Sequence, residues 1–130
     1  PQNMQSKINY QNVLLDVYDF FEKRIAKCNE IGISSSNIIL DPGIGFGKTM
    51  KQNFTLIKNI ALFHSLGCPL LLGASRKSFI GKLSKNNLNH NRLGGSVSSV
   101  IYGLSQGVSI FRVHDVHETK QAIKLYLNLR

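Results

Sequence analysis

The chain has 130 residues, 42% of them hydrophobic, with 16 Lys and Arg against 7 Asp and Glu, giving a formal net charge of +9 and a pI near 9.9. This apolar content and a mean hydropathy of -0.06 suit a globular core and exclude a disordered segment. No apolar run reaches the roughly 18 residues of a membrane helix, because His64, Gly67, Pro69 and the Arg76-Lys77 pair interrupt the best candidate.

In chain order, Leu14, Val17, Phe21, Ile25 and Cys28 recur at helical steps and stop before Gly32, which predicts an amphipathic helix with a left-handed glycine cap. Residues 37 to 40, Asn-Ile-Ile-Leu, then predict a short apolar strand that delivers Asp41 at its C-terminal end and is stopped by Pro42. Gly43, Gly45 and Gly47 follow, so the backbone here is able to approach a ligand closely, at the end of the strand where α/β proteins bind ligands. A plain βα turn is the alternative reading. A second helix is expected over Phe54, Ile57, Ala61 and Leu66, ending at Gly67.

The strand from Pro69 to Leu72 empties into small residues followed by Arg76, Lys77 and Ser78. A helix rich in Gly and Ser is expected from about Arg92 to Gln106. The strand that begins at Val108 carries Arg112 and His114 two residues apart, hence on one face. A last helix is expected from Asp115, with Glu118 completing a capping-box-like pair.

Strands alternating with helices imply a parallel sheet covered on both faces, which three strands cannot supply alone. A spacing of roughly 32 to 40 residues per unit is that of a barrel or doubly wound sheet, and eight such units make about 250 residues. Residues 1 to 130 therefore read as one partial α/β domain, the second half of a larger unit.

The remaining chemistry is negative evidence. Cys28 and Cys68 form no Cys-x-x-Cys spacing and are read as core residues in a reducing, cytoplasmic setting; no secretory signal is visible. Basic residues such as Lys23, Lys58, Lys82 and Lys120 are scattered without a stripe, so neither nucleic acid nor membrane is expected as a partner. His90, in the polar stretch from Ser84 to Asn91, is read as solvated, His64 as packed and His117 as exposed. The Gly43 loop fits neither the P-loop, which needs glycine where Pro42 stands, nor the dinucleotide fingerprint, which needs glycine where Lys48 stands.

The stretches Asp41 to Lys48 (Asp-Pro-Gly-Ile-Gly-Phe-Gly-Lys), Gly73 to Gly81 (Gly-Ala-Ser-Arg-Lys-Ser-Phe-Ile-Gly) and Phe111 to Val116 (Phe-Arg-Val-His-Asp-Val) resemble, in this order and spacing, the dihydropteroate synthase family of pterin-binding enzymes. The resemblance covers nearly the whole chain, since Met4-Gln5 is similar to the segment after the family's fifth strand. It implies strands six to eight, with their helices, of a (βα)8 TIM barrel, the N-terminal half being absent. It also implies a transferase of folate biosynthesis, a sulfonamide target. That enzyme joins 6-hydroxymethyl-7,8-dihydropterin diphosphate to p-aminobenzoate and releases pyrophosphate and 7,8-dihydropteroate.

By the same resemblance Asp41, Gly73, Lys77 and Arg112 contact the pterin, and Asp41, Lys77 and Arg112 are catalytic. Pro42, Phe46 and Ser78 hold p-aminobenzoate, and Arg112 with His114 binds pyrophosphate. The chemistry is compatible: a carboxylate reads the pterin's donor edge, an ammonium meets its carbonyl and ring nitrogen, and cations receive the leaving pyrophosphate. In the family the pyrophosphate leaves first and the arylamine attacks the resulting pterin cation, so no Ser-His-Asp or Cys-His nucleophile is expected. No metal ligand is assigned here. Magnesium is expected to be held by an asparagine in the missing half, and the complete protein is expected to be a homodimer.

Alternatives remain for single residues: a structural Arg112–Asp41 ion pair, a His114 that merely shapes a turn, and either Arg76 or Lys77 as the cation facing the ligand. For the whole chain the alternatives are a pterin-dependent corrinoid methyltransferase and a non-catalytic half-barrel interaction module. Cut between its fifth and sixth strands, a barrel loses the layers that would bury Ile39, Leu71 and Phe111, so the isolated chain is expected to be inactive and to associate or pack loosely.

Overall fold

The computed structural model describes residues 10–83 and 92–130; the Met4-Gln5 match and the stretch containing His90 lie outside them. Helix α1 (Val13–Glu30) starts where the Asn12 side chain accepts the N–H groups of Leu14 and Leu15. Val17, Phe21 and Ile25 are buried along the predicted stripe, with Leu14 and Cys28 half-buried at its margins. The helix ends through Gly32, whose φ of 86° is the expected left-handed cap and whose N–H returns to the Asn29 carbonyl at 3.0 Å.

Helix α2 (Met50–Lys58) opens with a capping box that the sequence reading missed: Thr49 accepts the Gln52 N–H, and the Gln52 side chain accepts the Thr49 N–H. A 3₁₀ segment (Ile60–Leu66) continues it to Gly67, at φ 72°. The expected apolar face was misplaced. Asn53, Leu56, Ile60 and Phe63 are buried, whereas Phe54 and Ala61 are exposed and Ile57 and Leu66 half-buried. The buried residues keep helical steps of three and four, but their stripe begins one residue earlier than expected, at the polar Asn53, while Phe54 packs edge to face on Phe79 at 5.6 Å.

The strands are shorter than expected. Strand β1 (Leu71–Leu72) pairs in parallel with β2 (Ile110–Phe111), and on the other side of the same segment Leu40 bridges Leu70, also in parallel. Hydrogen bonds from Leu40 N to Pro69 O and Leu71 N to Leu40 O, both 2.9 Å, join one edge. Bonds from Ile110 N to Leu70 O (3.3 Å) and Arg112 N to Leu72 O (3.2 Å) join the other. The outer two segments have one strand neighbour each among the described residues, which limits how much ladder they form.

Helices α3 (Ser78–Gly81), α4 (Leu93–Ser105) and α5 (Val116–Asn128) complete the α/β order. Asp115 does precede α5, but its carboxylate makes no capping bond because it is engaged by Arg76. His64 is exposed rather than packed, its Nε2 2.9 Å from the Gln106 carbonyl oxygen; His117 is exposed as expected. Cys68 is buried and both cysteines are free. Among the described residues no helix is long and apolar enough to cross a membrane.

Burial is one-sided. Leu40, Leu70 and Leu72, all at 3% exposure or less, face a core that includes Phe21, Leu56, Ile60 and Phe63, with Phe21 and Phe63 edge to face at 5.4 Å. Alternation puts Ile39 and Leu71 on the opposite face, and Ile39 is 54% exposed. Phe111 does not belong with them. It pairs with Leu72 and lies against Gly103 of α4, on the helix-covered side.

Gly103 is where α4 touches the strands: a Cβ there would stand 2.7 Å from Leu72 Cδ2 and 3.1 Å from a Phe111 ring carbon. Gly94, on the same helix, would meet nothing within 4 Å. Gly103→Ala should therefore destabilise by about 1–3 kcal/mol, and Gly94→Ala should stabilise by up to about 1 kcal/mol. Thermal unfolding of the two variants checks this, and equal shifts would contradict the packing described.

Candidate active site

Asp41, Gly73 and Arg112 sit at the C-terminal ends of the three parallel segments, so the fold brings together residues that lie far apart in sequence. The Asp41 Oδ1 atom accepts the Gly43 N–H at 2.9 Å, which turns the chain sharply and leaves Oδ2 for another donor. Lys48 threads back under the glycine loop and donates to the carbonyls of Gly43 and Phe46, each at 3.1 Å. Buried Asn53 fixes the loop from below: its Oδ1 accepts the Gly45 N–H at 2.7 Å and its amide donates to Thr49 O at 2.9 Å. Sequence reading missed both residues.

Lys77 crosses this loop. Gly45, at φ 81°, lacks the Cβ that would stand 2.7 Å from Lys77 Cδ, so glycine is needed there for both conformation and space. The ammonium lies 3.6 Å from the centre of the Phe46 ring, a cation–π contact that fixes both side chains. Burial lowers the Lys77 pKa below the ordinary lysine value, neighbouring Arg112 lowers it further, and Asp41 opposes both. Lys48 is likewise lowered, first by burial and also by Lys77, with Asp41 again opposing. Asp41 thus serves two ammonium groups at once.

The Arg112 guanidinium lies over Gly73, where a Cβ would be 3.5 Å from Nε. His114 is held by Ser75, whose hydroxyl accepts the His114 backbone N–H at 3.2 Å and lies 3.0 Å from Nδ1, which leaves Nε2 for a ligand. Gly73, Ser75, Lys77, Arg112 and His114 line a cavity of about 300 Å³. Asp41, Pro42 and Phe46 line a second of about 470 Å³, together with Lys48 and Phe20. The Lys77–Phe46 contact stands between the two.

Most sequence-predicted site residues thus converge, with one difference. Ser78 lines neither cavity, and α3 behind it has only four residues, too short for a helix terminus to attract an anion strongly. Of the two adjacent cations it is Lys77 that meets the site. Arg76 turns away to Asp115, and among the described residues no ion pair joins Asp41 to Arg112.

The family model described as pterin binding enzyme matches residues 1–114. The dihydropteroate synthase of Escherichia coli is 42% identical over 125 residues, which are 96% of this chain and 44% of that protein. The Thermus thermophilus dihydropteroate synthase solved with 4-aminobenzoate superposes with a TM-score of 0.91 at 33% identity, over 99% of this chain and 52% of that one. The Xanthomonas albilineans dihydropteroate synthase solved with 7,8-dihydropteroate gives 0.89 at 34% identity, over 93% and 46%. The chain spans about half the length of these relatives. A matched family model over most of the sequence and relatives at this identity place the chain in the pterin-binding enzyme family.

Proposed function

We propose that this chain forms part of a dihydropteroate synthase, a transferase of folate biosynthesis, and that it supplies strands six to eight of a (βα)8 barrel completed by residues beyond it. The observation that carries the reading is the Lys77 ammonium, seated on Phe46 between the Asp41 carboxylate and the Arg112 guanidinium. One carboxylate among three cations suits a ligand with a neutral donor edge at one end and a multiply charged anion at the other. Pterin diphosphate has that form.

In this proposal Asp41 accepts from the pterin's donor edge while Lys77 donates to its carbonyl and ring nitrogen. Gly73 leaves room for the ring beside Arg112. The bond from the pterin's methylene carbon to the diphosphate oxygen breaks, and its electron pair leaves with pyrophosphate, whose developing charge Arg112 and His114 stabilise. The amine of p-aminobenzoate then attacks that carbon and loses a proton. Pro42 and Phe46 wall the arene. Family members solved with 4-aminobenzoate and with dihydropteroate support this substrate class.

Magnesium belongs to the same proposal, held by residues beyond this chain. Among the described residues no group of three or more His, Cys, Asp or Glu is placed to hold a metal. A homodimer of the complete protein and a cytoplasmic setting follow from the family resemblance.

In the complete enzyme, Lys77→Ala should lower kcat/KM at least about tenfold, equivalent to 1.4 kcal/mol; kinetics equal to the parent's would remove Lys77 from the mechanism. Asp41→Asn should weaken pterin binding in calorimetry, because an amide NH₂ then faces a pterin donor, and unchanged affinity would reject that contact. Since Lys77 binds in its charged form, pterin affinity should be full below the Lys77 pKa and fall as pH rises through it, with a midpoint below 10.5. Lys77→Arg should carry this limb to higher pH. A limb at the same pH in both proteins would assign it to another group.

A further inference from the structure

The turn after β1 and the segment after β2 are tied together twice, and the proposed chemistry uses only the first tie, Ser75 to His114. One residue further out, Arg76 grips the Asp115 carboxylate with two prongs: Nε to Oδ2 at 3.1 Å, and Nη2 to Oδ1. The pair breaks two local rules. Arg76 has a φ of 55°, the one positive value outside glycine among the described residues. Asp115 precedes α5 yet caps none of its free N–H groups.

The unusual backbone at Arg76 is held on both sides. Its N–H donates to the Ser96 hydroxyl and its carbonyl accepts from Arg92 Nη1, each at 2.9 Å, and Ser96 is only 4% exposed. An ion pair whose arginine side chain is 45% exposed contributes little to stability, so stability does not account for a non-glycine residue kept in this conformation. Position does. Lys77 follows Arg76 directly, and His114 directly precedes Asp115, so the pair bridges the two turns that carry the site's cations. Lys77 and Arg112 repel each other across that gap, and an opposite-charge link one residue beyond them resists their separation. The same link removes Arg76 from competition for the anion.

We propose that Asp115, acting through Arg76, is a positioning residue that sets the spacing between Lys77 and the Arg112–His114 pair. This rests on the pterin diphosphate reading and specifies how that site is held in register. The test uses the complete enzyme, with kinetics in pterin diphosphate and p-aminobenzoate and calorimetry with inorganic pyrophosphate. Asp115→Ala should raise KM for pterin diphosphate and weaken pyrophosphate binding by about fivefold or more while Tm changes little, and Asp115→Glu should recover part of the loss. Added to Lys77→Ala, Asp115→Ala should cost much less than it does alone, because its effect passes through Lys77.

Full additivity of the two substitutions, or parental kinetics in both Asp115→Ala and Arg76→Lys, would overturn the positioning role while the parent's own turnover leaves the functional reading standing. A parent that binds neither pterin diphosphate nor pyrophosphate would overturn both. If Asp115→Ala does not fold, the Asp115→Glu and Arg76→Lys variants carry the same comparison.

Discussion

Repulsion among positive charges gathered at the ends of parallel strands is the constraint around which this structure is arranged. Lys77 feels both Lys48 and Arg112, and Asp41 is the carboxylate that Lys48 and Lys77 share; like charges repel more strongly where partial burial removes the screening of water. Each neighbouring feature answers that repulsion. Lys48 is turned into backbone carbonyls, Lys77 is laid across a glycine onto an aromatic face, and Arg76 is neutralised by Asp115. What remains unneutralised points to an anionic ligand, which is where the functional proposal begins.

The support beneath these charges is apolar and uneven. Leu40, Leu70 and Leu72 press against α1, α2 and the 3₁₀ segment, and Gly103 lets α4 close over Leu72 and Phe111. The opposite face keeps Ile39 exposed and Leu71 half-buried.

How much of this was legible in the sequence depends on the range of the interaction. Asp41 behind an apolar strand, the three glycines after it, and Arg112 two residues before His114 are local patterns, and they led directly to the site. The α1 stripe was equally plain because it keeps a single period. The α2 stripe was misread because its first buried position is the polar Asn53 while the apolar Phe54 lies outside the buried face, so apolar residues alone do not mark it. Asn53, Ser75 and Ser96 were invisible for a different reason: each acts by hydrogen-bonding a backbone group on a separate turn, so its importance exists only once the fold has brought that turn near. The choice between Arg76 and Lys77 was undecidable from their adjacency and is made by Asp115, 39 residues away.

A crystal structure of the complete protein with 6-hydroxymethyl-7,8-dihydropterin diphosphate tests the central claim most directly. The pterin's donor edge is expected on Asp41, its carbonyl within hydrogen-bond reach of Lys77 Nζ, and the diphosphate between Arg112 and His114, with Arg76 still on Asp115. A pterin bound away from Asp41 and Lys77, or a diphosphate held by Arg76 instead of Arg112, would contradict it.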